Sequence, residues 1–322
     1  MDKIKEFSSV IEEAVQTYNW PSSPKNLYEP LSYFLDLGGK RMRPILTLMS
    51  AEMFGSEPKD ILPLAMGIEL FHNFTLIHDD IMDAAPLRRA QQTVHLKWDE
   101  NIAILSGDVL MVKAYQEICK VKSIDLSELL ACFNKTAVEV CEGQQMDMDF
   151  ESRDDVSIPE YIEMIRLKTS VLLGCALELG AIKSGASISD RQNIYLFGQE
   201  LGLAFQIKDD LLDLYGDPEK VGKQIGGDVI SNKKTLLLLL AQKTANQSQL
   251  ENLESLLQEK DHGVKVNKVR LLFDELNIRN QAKSYIDLHY KNAKIALDAI
   301  SVVDEKKKDL KDLSIYLMNR EY

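Results

Sequence analysis

Apolar residues recur at three- and four-residue intervals along most of this chain, as in the run Ile102, Leu105 and Val109. This spacing places them on one face of a helix. Of the nine prolines, seven precede residue 87, and the spans 87–158 and 160–217 contain none. Alternation of apolar and polar residues between turn residues, which is typical of strands, is essentially missing. The pattern therefore predicts an all-α protein with ten or more helices, many of them long.

Short segments rich in glycine, proline or polar residues separate the predicted helices. They are residues 19–24, 38–39, 55–58, 84–86, 151–159, 183–189 and 215–228. None has the composition of a flexible interdomain linker, and no fixed-period repeat is present. We therefore predict a single domain over residues 1–322. A core of this size favours burial of further surface in a homodimer.

Composition narrows the class of protein. A net charge of −12 over 322 residues argues against a nucleic-acid-binding surface. Four dispersed cysteines indicate reduced thiols, and hence a cytoplasmic location, instead of disulfides or a zinc site. The N-terminus lacks the apolar segment of a secretory peptide. The purest apolar run, leucines 236–240, is far shorter than the roughly 18 residues that span a membrane, so no membrane span is expected.

Two aspartate-rich pentapeptides, Asp79–Asp83 and Asp209–Asp213, each end an apolar helical stretch. Residues four apart share a helix face, so the first and last aspartates of each motif point the same way. Adjacent aspartates at a helix C-terminus are opposed by the helix dipole, which a cation would relieve. Facing motifs would pool six carboxylates. Oxygen ligands without a Cys or His cluster favour magnesium, which commonly bridges carboxylates to substrate phosphates.

A basic segment lies between Gly38–Gly39, a predicted helix stop, and Pro44, the predicted first residue of the next helix. It contains Lys40, Arg41 and Arg43. Three cations before a helix N-terminus form either a basic loop facing water or a cradle for a diphosphate. Composition alone favours these two interpretations equally.

Other polar residues have ordinary interpretations when each is considered alone. Arg88 and Arg89 follow the first acidic motif and can pair with its aspartates, although exposed pairs of this kind contribute little stability. A lysine within a helical pattern, such as Lys168, commonly extends its amine to the surface. His72 suits a hydrogen-bonded core histidine, and Asp147 suits a helix surface.

Taken together, the blocks GGKRMRP (38–44), DDIMD (79–83), PLRR (86–89), KT (168–169) and FQIKDDLLD (205–213) resemble the trans-prenyltransferases, the all-α isoprenyl diphosphate synthases. The resemblance covers roughly residues 30 to 240 with every block in order. It implies a single large helical bundle of the isoprenoid synthase type with a central active-site cavity. It also implies magnesium-dependent, head-to-tail condensation of an allylic diphosphate with isopentenyl diphosphate in the trans configuration.

The resemblance assigns roles to individual residues. Isopentenyl diphosphate is assigned to Lys40, Arg43, His72 and Arg89, and the allylic diphosphate to Arg88, Lys168, Thr169, Gln206, Lys223 and Lys233. Magnesium, with three ions per active site, is assigned to Asp79, Asp83 and Asp209, while Asp80, Asp210 and Asp213 support the metal or its water. The loop before Lys233 is a residue longer than in some relatives, which leaves Lys233 and Lys234 as alternatives.

The resemblance implies that product length depends on Phe74 and Thr75, five and four residues before the first aspartate. The resemblance places both at the floor of the elongation cavity, and an aromatic side chain there is typical of short-chain enzymes. We expect a twenty-carbon product, geranylgeranyl diphosphate, with farnesyl diphosphate and longer chains as alternatives. A terpene cyclase would lack the second DDLLD motif and the basic segment. A non-catalytic synthase subunit would have lost aspartates or arginines that are all present here.

Overall fold

The computed structural model describes residues 2–121, 126–216 and 225–319, and helices dominate all three ranges. Their bounds are α1 Asp2–Gln16, α2 Lys25–Asp36, α3 Met42–Met53, α4 Pro58–Met82, α5 Val94–Lys97, α6 Glu100–Ile118, α7 Leu126–Glu151, α8 Ile158–Ile165, α9 Val171–Lys183, α10 Ile188–Tyr215, α11 Gly227–Ile230, α12 Leu236–Thr244, α13 Gln247–Leu257, α14 His262–Glu275, α15 Ile278–Asp298 and α16 Asp304–Asn319. The predicted all-α fold is confirmed.

One small hairpin interrupts the helices of the described ranges. Strands β1 (Leu87–Arg88) and β2 (Gln91–Gln92) pair antiparallel, with Leu87 opposite Gln92. The two residues between them, Arg89 and Ala90, both have positive φ, at 54° and 62°. Positive φ at both central residues is the conformation of a tight two-residue turn. The hairpin follows α4 closely and carries both arginines of the PLRR block.

Packing divides the chain into two compact units. The first contains Met1–Phe133, Ala176–Arg191 and Val302–Asp309, and the second contains Asn134–Cys175, Gln192–Ser301 and Leu310–Tyr322. The first acidic motif and the basic segment belong to the first unit. The second acidic motif belongs to the second unit, together with Lys168 and Lys233. A single domain over the whole chain remains a prediction.

The core of the first unit is built around α4, which packs along α6 and α3. Gly67 allows the close approach of α4 to α6, because a Cβ atom there would lie 2.8 Å from the Ile118 side chain. By length and composition α4 could cross a membrane, but 67% of its most apolar window is buried. Burial of that extent is typical of a core helix, so α4 is explained by the packing of this unit.

The second unit has a separate apolar core. Most of its buried side chains come from α8, α10 and α12 to α15, and they include Tyr161, Ile207, Leu214 and Phe273. The five leucines 236–240 that form the purest apolar run of the sequence are all buried in it. Their location explains why this run lacks a polar face.

One local prediction is wrong. Helix α3 begins at Met42, two residues before Pro44, and its N-cap residue Arg41 has a left-handed φ of 48°. Lys168 lies inside a helix as predicted, and the segment that contains it, Arg166–Ser170 between α8 and α9, is a π-helical turn. Turns of this kind are rare and concentrate at functional sites. Gly143 allows α7 to approach this turn, because a Cβ atom there would lie 2.2 Å from the Lys168 backbone nitrogen.

Candidate active site

The first acidic motif forms the C-terminal end of α4. Asp83 is the C-cap residue, and Ala84 follows with a φ of 48°. The Ala85 N–H donates to the Asp80 carbonyl at 2.9 Å and the Ala84 N–H to the Ile81 carbonyl at 3.1 Å, a Schellman-type termination. This sharp ending turns the chain back into the β1–β2 hairpin and brings Arg88 to the aspartates.

Arg88 pairs with the acidic motif. Its Nε and Nη2 atoms donate to Asp80 Oδ1 at 2.9 and 2.5 Å, and Nη2 lies 3.6 Å from Asp79 Oδ2. Asp80 is only 1% exposed. Burial raises the pKa of Asp80, although the hydrogen bond and charge of Arg88 act in the opposite direction. The charge-pairing interpretation of Arg88 thus describes its contacts in this structure.

Arg43 and His72 form the centre of a basic cluster in the first unit. Arg43, in the first turn of α3, has Nη1 3.0 Å from His72 Nε2 on α4. Burial, followed by the charges of Arg43 and Arg89, holds the pKa of His72 well below its usual range. The ring is therefore neutral at pH 7, and its Nε2 accepts the hydrogen bond from Arg43. Burial lowers the pKa of Arg43 to about 10, so this side chain stays charged.

Arg89 completes the cluster. A Cβ atom on Gly39 would lie 2.8 Å from Arg89 Nη2, so this guanidinium lies directly against the basic segment. Burial and the charge of Arg41 lower the pKa of Arg89. Several cations thus lie close enough to disfavour one another, and a polyanion would relieve that repulsion. Lys40, the next residue after Gly39, is exposed.

Phe74 and Thr75 lie on different sides of α4. Phe74 is buried, with its ring centroid 5.5 Å from that of Phe71 and 4.8 Å from that of His78. Thr75 is half-buried, and its hydroxyl donates to the His72 carbonyl at 2.8 Å. Phe133 of α7 lies behind Phe71, at a centroid distance of 5.0 Å. Phe74 is therefore held in a stack of aromatic rings, which limits its freedom to move aside.

The second acidic motif lies in the last two turns of α10. Asp210 is buried, accepts a hydrogen bond from the Tyr161 hydroxyl, and accepts another from Gln206 Nε2 at 3.1 Å. Burial and the neighbouring charge of Asp228 raise the pKa of Asp210 to about 8. Asp213 Oδ2 accepts the Asp228 N–H at 3.1 Å. Asp209 is half-buried in the same two turns.

Asp147 joins two of the lysines assigned to the allylic diphosphate. Its Oδ2 lies 2.6 Å from Lys168 Nζ and 3.4 Å from Lys233 Nζ. Burial disfavours the charged carboxylate, but the charges of Lys233 and Lys168 outweigh it and lower the pKa of Asp147. Lys234 instead lies 3.6 Å from Asp154, a fully exposed residue. Lys233 is therefore grouped with Lys168, whereas Lys234 pairs with a different carboxylate.

The remaining assigned residues divide between described and undescribed parts of the chain. Thr169 Oγ1 donates to Gln206 Oε1 at 3.4 Å, so these two residues are neighbours in the second unit. Lys223 lies outside the described residues.

Sequence reasoning missed three residues that contact the assigned ones. Asp147 was interpreted as helix surface, and Tyr161 and Asp228 were not considered as site residues. A polar side chain in an apolar helical pattern was the only available signal for Asp147. Tyr161 gave none, since a tyrosine on a core face is common. Asp228 is close in sequence to the lysine-containing loop, but only the fold brings it to Asp210 and Asp213.

The carboxylates fit a magnesium ion that is shared with a substrate phosphate better than an ion that is held by the protein alone. Within the described ranges, no three His, Cys, Asp or Glu side chains are grouped closely enough to hold a metal ion. Magnesium usually takes one or two carboxylates and completes its shell with waters and substrate phosphates. Asp80 Oδ2 is buried and accepts no hydrogen bond from the described residues. A donor set of this kind, with cations nearby in each unit, fits a metal that arrives with a diphosphate.

The helical fold, with an aspartate-rich motif at the ends of α4 and α10 and a basic cluster beside the first, defines an all-α prenyltransferase. The polyprenyl synthetase family model matches residues 24–276. Because this match covers most of the sequence, the chain belongs to the polyprenyl synthetase family.

Full-length relatives agree with this assignment. A geranylgeranyl diphosphate synthase from Methanosarcina mazei is 38% identical, over 100% of this chain and 98% of its own. A geranylfarnesyl diphosphate synthase from Natronomonas pharaonis is 35% identical, over 99% and 97%. The crystal structure of a geranylgeranyl pyrophosphate synthase superposes with a TM-score of 0.94 at 43% identity, over 100% of both chains.

Proposed function

We propose that this enzyme condenses an allylic diphosphate with isopentenyl diphosphate and releases geranylgeranyl diphosphate. The observation that carries the proposal is the cluster of Arg43, Arg89 and neutral His72 in the first unit. Besides burial, both arginines lower the pKa of the histidine, and Arg41 lowers the pKa of Arg89, so a diphosphate would supply the missing negative charge. Family membership supports the reaction. This cluster would bind isopentenyl diphosphate, the substrate whose C–O bond does not break.

The two diphosphates are proposed to use different cations. Lys40, Arg43 and Arg89 would hold isopentenyl diphosphate, and His72 would stay neutral and orient Arg43. The allylic diphosphate would take Arg88, Lys168, Thr169, Gln206, Lys223 and Lys233. In the second unit this substrate would compete with Asp147 for its two lysines, and in the first with Asp80 for Arg88. Each of these cations is thus kept ordered by a carboxylate before substrate binds.

The side chains divide the work of the reaction. Asp79, Asp83 and Asp209 would hold magnesium, with Asp80, Asp210 and Asp213 in support, and three ions per site is our expectation. Bound magnesium would neutralise the charge that develops on the departing diphosphate. The allylic C–O bond breaks with its electron pair on the diphosphate, and the double bond of isopentenyl diphosphate attacks the allylic carbon. A proton is then lost to the released diphosphate, since neutral His72 is bound to Arg43 and no other base stands out among the residues that the structure describes.

Product length is the finer part of the proposal. Phe74 supports a short product because it is buried and backed by Phe71 and His78. Relatives of nearly equal identity make geranylgeranyl or geranylfarnesyl diphosphate, so overall similarity does not choose between twenty and twenty-five carbons. We propose twenty carbons on the strength of the aromatic stack.

Assembly and location complete the proposal. Leu105, 58% exposed, and Val112 lie two turns apart on α6, which supports a homodimer that covers them. All four cysteines are free thiols, which supports a cytoplasmic location.

The reaction is tested by incubating the protein with labelled isopentenyl diphosphate, magnesium and, in turn, dimethylallyl, geranyl or farnesyl diphosphate. Extraction and chain-length analysis should give one major product of twenty carbons. A product of another length would keep the reaction and reject the proposed role of Phe74. Absence of condensation with every starter would reject the enzyme and favour a non-catalytic subunit.

A further inference from the structure

One cation of the basic segment behaves unlike its neighbours. Arg41 is 3% exposed, whereas Lys40 is exposed and Arg43 is half-buried. Its backbone is in the left-handed region, with φ 48°, at the N-cap of α3. A residue with a side chain pays an energetic penalty in this conformation and persists there only when its surroundings hold it. Arg41 is therefore a constrained residue within the segment that carries two proposed substrate ligands.

The Arg41 guanidinium connects three helices to this segment. Nη1 donates to Glu69 Oε1 of α4 at 2.6 Å, and Nε donates to Glu12 Oε1 of α1 at 3.0 Å. Nη2 donates to the Leu35 carbonyl of α2 at 2.6 Å. A planar guanidinium can satisfy three acceptors in fixed directions, which a lysine amine cannot reproduce. These contacts determine both the position and the rotation of residue 41.

Glu69 is the inner end of this network. It is 1% exposed, and its Oε1 also accepts a hydrogen bond from Asn73 Nδ2 at 2.8 Å. It lies one helical turn before His72, the residue that contacts Arg43. Its negative charge also favours the charged forms of Arg43 and Arg89 against burial. One buried carboxylate thus acts on Arg41, Arg43 and Arg89.

We propose that Arg41 and Glu69 are positioning residues for isopentenyl diphosphate. Neither has a free polar surface for substrate; they set the direction in which the chain passes Lys40 and continues through Arg43 in the first turn of α3. The inference rests on the proposed function, because it concerns the site to which that function assigns isopentenyl diphosphate. It adds two residues outside the set that is proposed to touch either substrate.

Two physical effects of Glu69 have opposite signs, which makes the proposal testable. A buried carboxylate near a diphosphate site repels the ligand, so its neutralisation alone would tighten binding. Loss of its pairing with Arg41 frees the basic segment and would weaken binding. The positioning effect dominates, because the Arg41 guanidinium at 2.6 Å already cancels most of the field of Glu69.

The test compares Glu69→Gln with the double variant Arg41→Met/Glu69→Met, which removes both buried charges together. Replacing a buried ion pair by apolar residues of similar volume is often tolerated, so the double variant should fold even if Glu69→Gln does not. Glu117→Gln is the matched control, since Glu117 is a buried glutamate of the same unit that accepts from the Tyr18 hydroxyl at 2.8 Å. Calorimetric titration gives the Kd for isopentenyl diphosphate, and steady-state kinetics gives both KM values and kcat.

We expect the Kd and KM for isopentenyl diphosphate to rise at least tenfold in the folded variants. The KM for the allylic diphosphate and kcat at saturation should stay within twofold, and the control should match the wild type. Tighter binding, unchanged binding, or an equal loss for both substrates would overturn the inference while leaving the proposed function intact. A wild-type protein that binds no isopentenyl diphosphate and forms no product would instead reject the proposed function, and this inference with it.

Discussion

Replacement of Phe74 by alanine should lengthen the product. Phe74 is 9% exposed and packs against Phe71 and His78, so the substitution leaves a cavity instead of a solvent-filled groove. The phenyl group that is lost has about six carbons and an isoprene unit about five, so the space admits about one further unit. Burying five more apolar carbons contributes about 4 kcal/mol, at roughly 0.8 kcal/mol for each carbon group. This is ample to favour a further condensation.

The assay is chain-length analysis of the products that Phe74→Ala and the wild type form from one allylic starter. We expect the main product to shift from twenty to twenty-five carbons. The loss of a buried phenylalanine should also destabilise the variant by about 3–5 kcal/mol. Phe7→Ala is the control, because Phe7 is a fully buried phenylalanine on α1, in the same unit. An unchanged product from Phe74→Ala, with a melting temperature lowered as in the control, would refute the assignment of Phe74 to the cavity floor.

Three further predictions concern the second unit. Lys233→Ala should raise the KM for the allylic diphosphate about tenfold, and Lys234→Ala should raise it less than about twofold. Of these two lysines, Lys233 is the one that shares Asp147 with Lys168. Equal effects of the two variants in steady-state kinetics would contradict this grouping. Without divalent metal the melting temperature should fall as pH rises from about 4 to 8, because the raised pKa of Asp210 makes the folded state bind more protons than the unfolded state across that range. Asp210→Asn should flatten this pH profile of the melting temperature. A wild-type profile that is already flat would count against the raised pKa. Lys265→Met should raise the KM for the allylic diphosphate and leave the KM for isopentenyl diphosphate unchanged. The reason is that the buried Lys265 amine donates to the Ile230 carbonyl and to Asn232 Oδ1, beside Lys233. An effect on both KM values would point to general destabilisation.

The sequence was sufficient for the helical fold because its signals are local. Helical periodicity, the proline distribution and the turn segments all depend on neighbouring residues, and the observed helices begin and end close to those turns. The N-terminus of α3 is an exception. Pro44 fits the first turn of a helix, but the contacts of Arg41 with three other helices hold the chain in position for α3 to begin at Met42.

The site was only partly predictable, because several of its properties depend on tertiary contacts. The aspartates and arginines are proposed as site residues from their motifs. The role of Asp147 depends on a π-helical turn that places Lys168 within 2.6 Å of it, and nothing in the sequence around residue 168 predicts that extra residue in the helix. The raised pKa of Asp210 depends on Asp228 and on burial, which spacing along the chain does not reveal. Likewise, Arg41 and Arg43 are indistinguishable by composition, although one is buried and paired and the other faces His72.

The most direct test of the account measures condensation as a function of magnesium for the wild type, Asp79→Ala and Asp209→Ala. Asp154→Ala is the control, since Asp154 is fully exposed and lies 3.6 Å from Lys234. We predict a rate that requires magnesium in the wild type and control, and a fall of about a hundredfold or more in both motif variants, because a fixed charge at the departing diphosphate is lost. Magnesium-independent condensation, or motif variants as fast as the control, would contradict the account.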